Sequence, residues 1–324
     1  MHDPLRFAGI VFRPEMVAWF DEPVDKLDEL GAQISRLARR NAPPQWIDGV
    51  QVFATDRVTE PLGMVTEPCM ALIAQGAKRS VLGEKIFDYR AGQYLVVTLD
   101  LPLTSQITHA DTAEPFLAFG LPLKPAVIAQ LLLDAGTAPG TGRTRTTDAG
   151  VAIATGDAGD ELIDAVVRRL RLVGNPVDQR VLAPAIEREI HWRLLTGPQS
   201  AVVRQIGLAD SRLSLVARAV RRLQAHYADI VRIDDLAAEV GLSVSSFNRH
   251  FRAVTAMSPL QYQKRLRLQE ARIQLIANPH DIAAIGHAVG YDSPSQFSRE
   301  YKRMFGAPPG QDAARLQSAV LPAG

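Results

Sequence analysis

A chain of 324 residues with 47% hydrophobic content carries apolar material for two globular domains, which excludes a disordered or fibrous protein. Its 36 basic and 35 acidic residues leave a net charge of +1, so any surface built for a polyanion must be local. The longest apolar runs, such as 94–97 and 131–133, fall far short of the ~18 residues a membrane-spanning helix needs. With no signal-peptide block near residue 1, a cytoplasmic protein without membrane contact is expected, and Cys69, the single cysteine, excludes an internal disulfide.

Residues 1–21 show no clear period and read as an extension. From 22 to 40, Leu27, Leu30, Ile34, Leu37 and Ala38 recur at helical spacing among charges, which predicts an amphipathic helix packed on its own domain or on a second subunit. Asn41-Ala42-Pro43-Pro44 ends it. Between 50 and 123 the period shortens. Runs at 50–53, 70–74, 80–82, 85–89, 94–98, 105–108 and 116–120 are separated by Gly, Pro and Asp, the pattern of a small antiparallel barrel or sandwich. Gly83-Glu84 and Ala91-Gly92 read as hairpin turns. Such a barrel is either filled or holds one small ligand, and Tyr94, Gln106 and His109 are the candidate residues for contacting it. A metal-dependent enzyme of this shape needs several histidines and a carboxylate together. Here His109 stands alone beside Asp111 and Glu114, so no metal, cofactor or catalytic residue is assigned.

From 125 the chain turns helical. A helix over 127–133 precedes a Gly-, Thr- and Pro-rich loop over 136–150 that carries Arg143 and Arg145. Gly156-Asp157-Ala158-Gly159-Asp160 lacks the lysine and serine of a phosphate loop and reads as the approach to a helix. Helices follow over 160–173, 176–195 and 211–227. In the second, Val181, Ala185, Ile186, Ile190 and Leu194 share a face that would pack within the chain or against a second copy.

The segment 233–309 contains one helix-turn-helix pattern twice. Leu236, Ala237, Val240 and Gly241 precede Phe247, Arg249, Phe251 and Pro259; Ile285, Gly286, Val289 and Gly290 precede Phe297, Arg299, Tyr301 and Pro309, at offsets of 49 and then 50 residues. Each copy has a glycine for a tight turn and a capping group for the next helix, Ser243 in one and Asp292 or Ser293 in the other. The aromatic pair four residues apart buries, leaving the other face free. That face carries Ser245, Asn248, Arg249 and Arg252, or Ser295, Ser298, Arg299 and Lys302. Asn and Arg make paired hydrogen bonds to purine edges, while serines and further cations suit phosphates. A solvated polar face is the bland alternative, and the duplication argues against it. A helix over 259–276 joins the copies, and at about 1.5 Å per residue it spans roughly 27 Å, near the ~34 Å between successive major grooves on one side of a duplex. Residues 212–315 hold 15 basic and 9 acidic side chains, a net +6 within a chain of +1.

With Ala271-Arg272, Val289-Gly290-Tyr291, the run from Ser295 to Arg303 and Phe305-Gly306-Ala307-Pro308-Pro309, the segment resembles the DNA-binding domain of the AraC/XylS family of bacterial transcription regulators. It departs at Ala256, where its repeat partner is Gly306, and at Gly310, where the family often has a basic residue. An alanine held left-handed costs about 1 kcal/mol, so the first unit is expected to end differently. Gln75-Gly76-Ala77-Lys78-Arg79, Leu82-Gly83, Tyr89, Gly92-Gln93-Tyr94-Leu95 and Leu101-Pro102-Leu103 resemble the cupin-like N-terminal domain of one branch of that family.

The resemblance implies an α+β multidomain protein. An N-terminal stretch, 1–49, precedes a cupin-like β-barrel sensor at 50–123. A helical segment with a possible dimer contact follows at 124–210, then an all-α double helix-turn-helix at 211–315 and a tail. It implies a DNA-binding transcription regulator, with double-stranded DNA, a small-molecule effector, a homodimer partner and RNA polymerase as partners. Base contacts are expected from Ser245, Asn248, Arg249, Ser295, Ser298 and Arg299, and phosphate contacts from Ser243, Arg252, Ser293 and Lys302. The alternatives are a regulator whose barrel only supports dimerisation or protein contacts, and a cupin-type enzyme fused to a DNA-binding tail.

Overall fold

A computed structural model describes residues 25–136, 152–208, 211–279 and 281–320, with side chains to 316. The expected N-terminal extension and all but the first residue of the 136–150 loop, Arg143 and Arg145 included, lie outside the described residues.

Helix α1 (Lys26–Leu37) is capped by the Asp25 carboxylate and buries Leu30 and Ile34 against its own domain, as its period predicts. The strands then run β1 (Gln45–Ile47), β2 (Val50–Thr55), β3 (Leu62–Thr66), β4 (Cys69–Gln75), β5 (Ala77–Leu82), β6 (Lys85–Arg90), β7 (Gln93–Val97), β8 (Leu101–His109) and β9 (Phe116–Pro122). After α2 (Pro125–Asp134) comes β10 (Ile153–Asp157). Every described pairing is antiparallel. One sheet has the order β1-β2-β9-β4-β7-β10 and the other β3-β8-β5-β6. Gly83-Glu84 forms the β5–β6 hairpin turn. Ala91-Gly92 does not make a hairpin: it carries the chain from one sheet to the other, with the Ala91 and Gly92 amides donating to Gly76 O and Ile73 O.

Three strands depart from the sequence reading. β1 and β3 are short edge strands without an apolar run, and β10 lies where a loop was read. It pairs with β7 from Ile153↔Val97 to Asp157↔Gln93, so residues after 124 contribute to the sheet. Period-two alternation sorts the six-stranded sheet between two cores. Val50, Val52, Met70, Leu72, Tyr94, Val96 and Phe119 face one core, with α1, α2, α3 (Asp160–Arg171) and α4 (Pro176–Thr196). Ile73, Leu95, Val97 and Phe116 face the four-stranded sheet's Leu82, Tyr89, Leu101, Leu103 and Ile107.

The buried face of α4 differs from the expected one, because Val181 and Ala185 are exposed while Glu187 and His191 are buried. A polar network holds them. Arg169 and Lys124 both donate to the Glu187 carboxylate, Arg169 also donates to Asp48 O, and the Lys124 amide donates to His191 Nε2 at 3.0 Å. That acceptor leaves the proton on His191 Nδ1, which donates to Glu187 O at 2.6 Å, and burial holds the imidazole below its usual pKa.

The chain continues through α5 (Ser200–Arg204), α6 (Arg212–Ala225), α7 (Ile233–Glu239), α8 (Val244–Thr255), α9 (Pro259–Ala277), α10 (Ile282–Ala288), α11 (Pro294–Phe305) and α12 (Pro309–Val320). The first helix-turn-helix is α7–α8 and the second α10–α11, with α9 between them.

Candidate nucleic-acid interface

Each recognition helix starts at a serine. Ser243 Oγ accepts from the Ser246 amide and Ser293 Oγ from the Gln296 amide, so Ser293, not Asp292, caps the second unit. Capping uses one acceptor lone pair of each hydroxyl and one first-turn amide, and leaves the Val244 and Ser245 amides of one helix and the Ser295 amide of the other for a phosphate. Phe247 and Phe251 stack at 5.6 Å between centroids, as do Phe297 and Tyr301. All four rings are fully buried, which fixes the rotation of both helices.

The opposite faces are consequently open. Ser245, Arg249 and Arg252 are exposed and Asn248 half-buried; Ser295, Arg299 and Lys302 are exposed and Ser298 half-buried. Arg252 and Lys302 stand one turn beyond Asn248 and Ser298. Arg249 Nη2 reaches the Ser246 hydroxyl at 3.5 Å, and Ser293 and Ser295 hydroxyls meet at 3.0 Å. Arg249, Arg252, Arg299 and Lys302 make no ion pair among the described residues. Elsewhere in this region some cations are neutralised, Arg222 by Glu239, Lys264 by Glu300 and Arg272 by Asp312, while both recognition faces keep theirs uncompensated.

The turns differ in what demands glycine. Gly241 has φ +71 with open space beyond its Cα, whereas at Gly290, φ +89, an added Cβ would lie 2.2 Å from Ala228 O. The first recognition helix ends as the second does, against expectation: Ala256 takes φ 58 and its amide donates to Arg252 O, matching Gly306 and Lys302 O. Buried Thr255 offsets the strain, its hydroxyl bonding Phe251 O and accepting from the Met257 amide.

Helix α9 sets the spacing. A capping box of Ser258 and Gln261 starts it, and 19 residues at about 1.5 Å each give a strut of roughly 28 Å. Leu266, Leu268, Ala271 and Leu275 are buried, while Leu260 and Ile273 are exposed. Two α9 side chains whose role the sequence reading missed bind the units together. Arg267 donates to the carbonyls of Tyr227, Ala228, Asp229 and Gly290, and Gln263 donates to Tyr227 O and Asp229 O. Their four-residue spacing was the available signal.

The candidate effector residues are not gathered. Tyr94 is buried on the helix-covered face of the six-stranded sheet, where burial raises its phenol pKa. Gln106 alternates with buried Ile107 and so lies on the outer face of the other sheet. His109 is exposed, 3.4 Å from Glu114. Among the described residues no three His, Cys, Asp or Glu side chains cluster as metal ligands, and no helix is long and apolar enough to cross a membrane.

Two family descriptions match the chain: the AraC-type transcriptional regulator N-terminus over residues 46–202, and a helix-turn-helix domain over residues 236–315. A putative AraC-like transcription regulator of Streptomyces lividans is 38% identical over 104 residues, 32% of this chain and 33% of that one. The transcriptional activator RhaS of Pectobacterium atrosepticum is 33% identical over 87 residues, 27% and 31% of the two chains. The chain thus spans about a third of the length of these curated relatives. Among solved structures, ToxT of Vibrio cholerae aligns with a TM-score of 0.54 at 8% identity, over 82% of this chain and 97% of that one. Its unsaturated-fatty-acid-bound form aligns at 0.51 and 10%, over 85% and 97%. These likenesses establish the order of a β-sheet domain followed by a many-helix domain.

Proposed function

We propose, from the premise that the chain belongs to the AraC family of transcription regulators, that it is a sequence-specific DNA-binding regulator whose two recognition helices enter successive major grooves of one site. The observation that carries this reading is the pair of matched open faces, Ser245–Asn248–Arg249–Arg252 and Ser295–Ser298–Arg299–Lys302, on helices whose rotation four buried rings fix. Arg249, Arg299, Asn248, Ser298, Ser245 and Ser295 read base edges, and Arg252, Lys302, Ser243 and Ser293 hold phosphates.

Selection of bound sequences from a random duplex pool with the full chain tests it. One site with two contacted segments about 10 bp apart is expected. Arg249→Ala or Arg299→Ala then costs ~1–3 kcal/mol on that site and relaxes preference at one base pair. Failure to enrich any sequence, or equal weakening on random DNA, sinks it.

Control by a small effector is the companion proposal. It is supported by the ToxT fold likeness, since ToxT has been crystallised with an unsaturated fatty acid. A barrel that serves only contacts is favoured instead by its filled interior and the separation of Tyr94, Gln106 and His109. A second copy is proposed to meet the exposed Val177, Val181 and Leu182 of α4 and Leu133 of α2, with sedimentation equilibrium of Val181→Glu as the test. RNA polymerase remains a proposed partner through the family alone.

A further inference from the structure

A groove of about 720 Å³ opens where the β5–β6 turn meets both helix-turn-helix units. Gly83 at the turn packs closely on α8, its Cα so placed that a Cβ would lie 3.1 Å from Ala256 O. Lys85 of the barrel, Arg252 of α8, Arg265 of α9 and Arg303 of α11 line the groove, and none of the four makes an ion pair among the described residues. Lys264 is answered by Glu300 at 2.9 Å, and Glu84 is the other carboxylate on the wall. Ala256, Met257, Leu268 and Met304 supply apolar surface.

Arg265 distinguishes this groove from a solvated basic patch. Its Nη1 is buried without a hydrogen-bond partner, and burial lowers the guanidinium pKa. Buried Arg169 and Arg272 also leave an Nη1 unpartnered, but each bonds a carboxylate through its other nitrogens; Arg265 has no such bond. A guanidinium partly withdrawn from water without a counter-charge is costly, and an anion on the groove floor would supply that charge.

We infer that this groove binds a small organic phosphate, its phosphoryl group on Arg265, Arg252 and Arg303 and its body against Met257, Leu268 and Met304. A phosphoryl group offers three acceptor oxygens and a charge of about −1.5 to −2, which suits guanidinium forks better than one carboxylate does. The volume exceeds what inorganic phosphate fills and falls in the range of small-molecule sites. Duplex DNA is the less suitable anion. Arg252 belongs to both surfaces and Arg303 stands one turn beyond Arg299, but Glu300 and Met304 come from the other side of α11 and the barrel walls the groove opposite them. Because barrel and reader both contribute, an occupied groove favours their docked arrangement and changes DNA affinity by the factor with which DNA changes ligand affinity. Only this last consequence rests on the DNA-binding reading.

Calorimetric titration of the full chain with AMP, glucose 6-phosphate and 3-phosphoglycerate, against adenosine as the uncharged control, tests the site without DNA. Saturable one-to-one binding of at least one phosphate and none of adenosine is expected. Arg265→Gln should weaken it about tenfold or more, while the unliganded thermal midpoint stays level or rises because an unanswered, half-buried charge has gone. Arg303→Gln, at the exposed mouth, repeats the test without touching the floor. Absence of binding by all three phosphates, or binding unchanged in both variants, overturns the inference. So does a loss in Arg265→Gln of affinity for random duplex DNA with no small-phosphate binding by the parent chain.

Discussion

The two helix-turn-helix units carry one sequence pattern but are held by different means. The first has no core of its own: Leu236, Phe247, Phe251, Val254 and Tyr262 belong to the same apolar cluster as the barrel interior residues Leu82, Leu95, Leu101 and Ile107. Tyr262 Oη also donates to Asp100 O at 2.6 Å, and the Ala152 amide donates to Val254 O. The second unit closes on itself through Leu268, Leu275, Ile285, Phe297 and Tyr301, around a buried charge cluster. There Arg272 makes a two-pronged bond to Asp312, which also accepts from Tyr301 and Arg315, and the Arg272 guanidinium stacks on Phe305 at 4.5 Å. Whatever alters the barrel therefore acts on the first unit through a shared core, and reaches the second through α9, the Arg267 clamp and edge contacts such as Phe305 beside Gly63 and Arg315 near Glu60.

The strongest way to break this comparison is Asp312→Ala. Removing the carboxylate leaves Arg272, 4% exposed, as an uncompensated buried charge, a loss of about 3–5 kcal/mol. Hydrogen exchange should show α10–α12 opening early while α8 stays protected; equal loss in the barrel would refute separate cores. The same cluster gives a pH signature. Burial pushes the Asp312 carboxyl up, but hydrogen bonds from Arg272, Tyr301 and Arg315 outweigh it and hold the folded pKa below the ordinary value. Its contribution is therefore present above the unfolded pKa of about 4 and lost as pH falls through the lower folded pKa, so acid should loosen the second unit first.

Next in size are the turn glycines. Gly290→Ala meets Ala228 O as well as the left-handed backbone, and about 3 kcal/mol is expected; Gly241→Ala meets only the backbone, about 1 kcal/mol. Comparable midpoints in thermal melts of the two variants would remove the asymmetry. Tyr262→Phe deletes one bond between barrel and first unit, about 1 kcal/mol, and should speed exchange at α8 without touching α11. The smallest effect sharpens the repeat itself. Ala256→Gly should stabilise by about 0.5–1 kcal/mol and Gly306→Ala destabilise by as much, since both sites are left-handed and Gly306 has open space for a Cβ.

Local pattern made most elements legible. The serine caps, the aromatic pairs, the α9 strut and seven of the strands followed from periodicity and turn chemistry. β10 escaped because Gly156-Asp157 carries turn residues and its partner Val97 lies 56 positions earlier; only pairing makes the segment a strand. α4 misled because a hydrophobic stripe cannot reveal that Glu187 and His191 are buried with Lys124, just before α2, and that Glu187 also holds Arg169 of α3. Arg265 and Arg303 looked like two more basic residues in a basic region until the fold placed them beside Lys85, some 180 or more positions away.

By itself, then, the sequence determined that two recognition helices exist, which faces they leave open and that α9 separates them, because spacing along one helix dictates which side chains share a face. It did not determine what each buried face is buried against. Apolar burial is non-directional, so Phe251 and Phe297 read alike in the sequence, and only the tertiary structure decided that one ring joins the barrel's core and the other a core of its own.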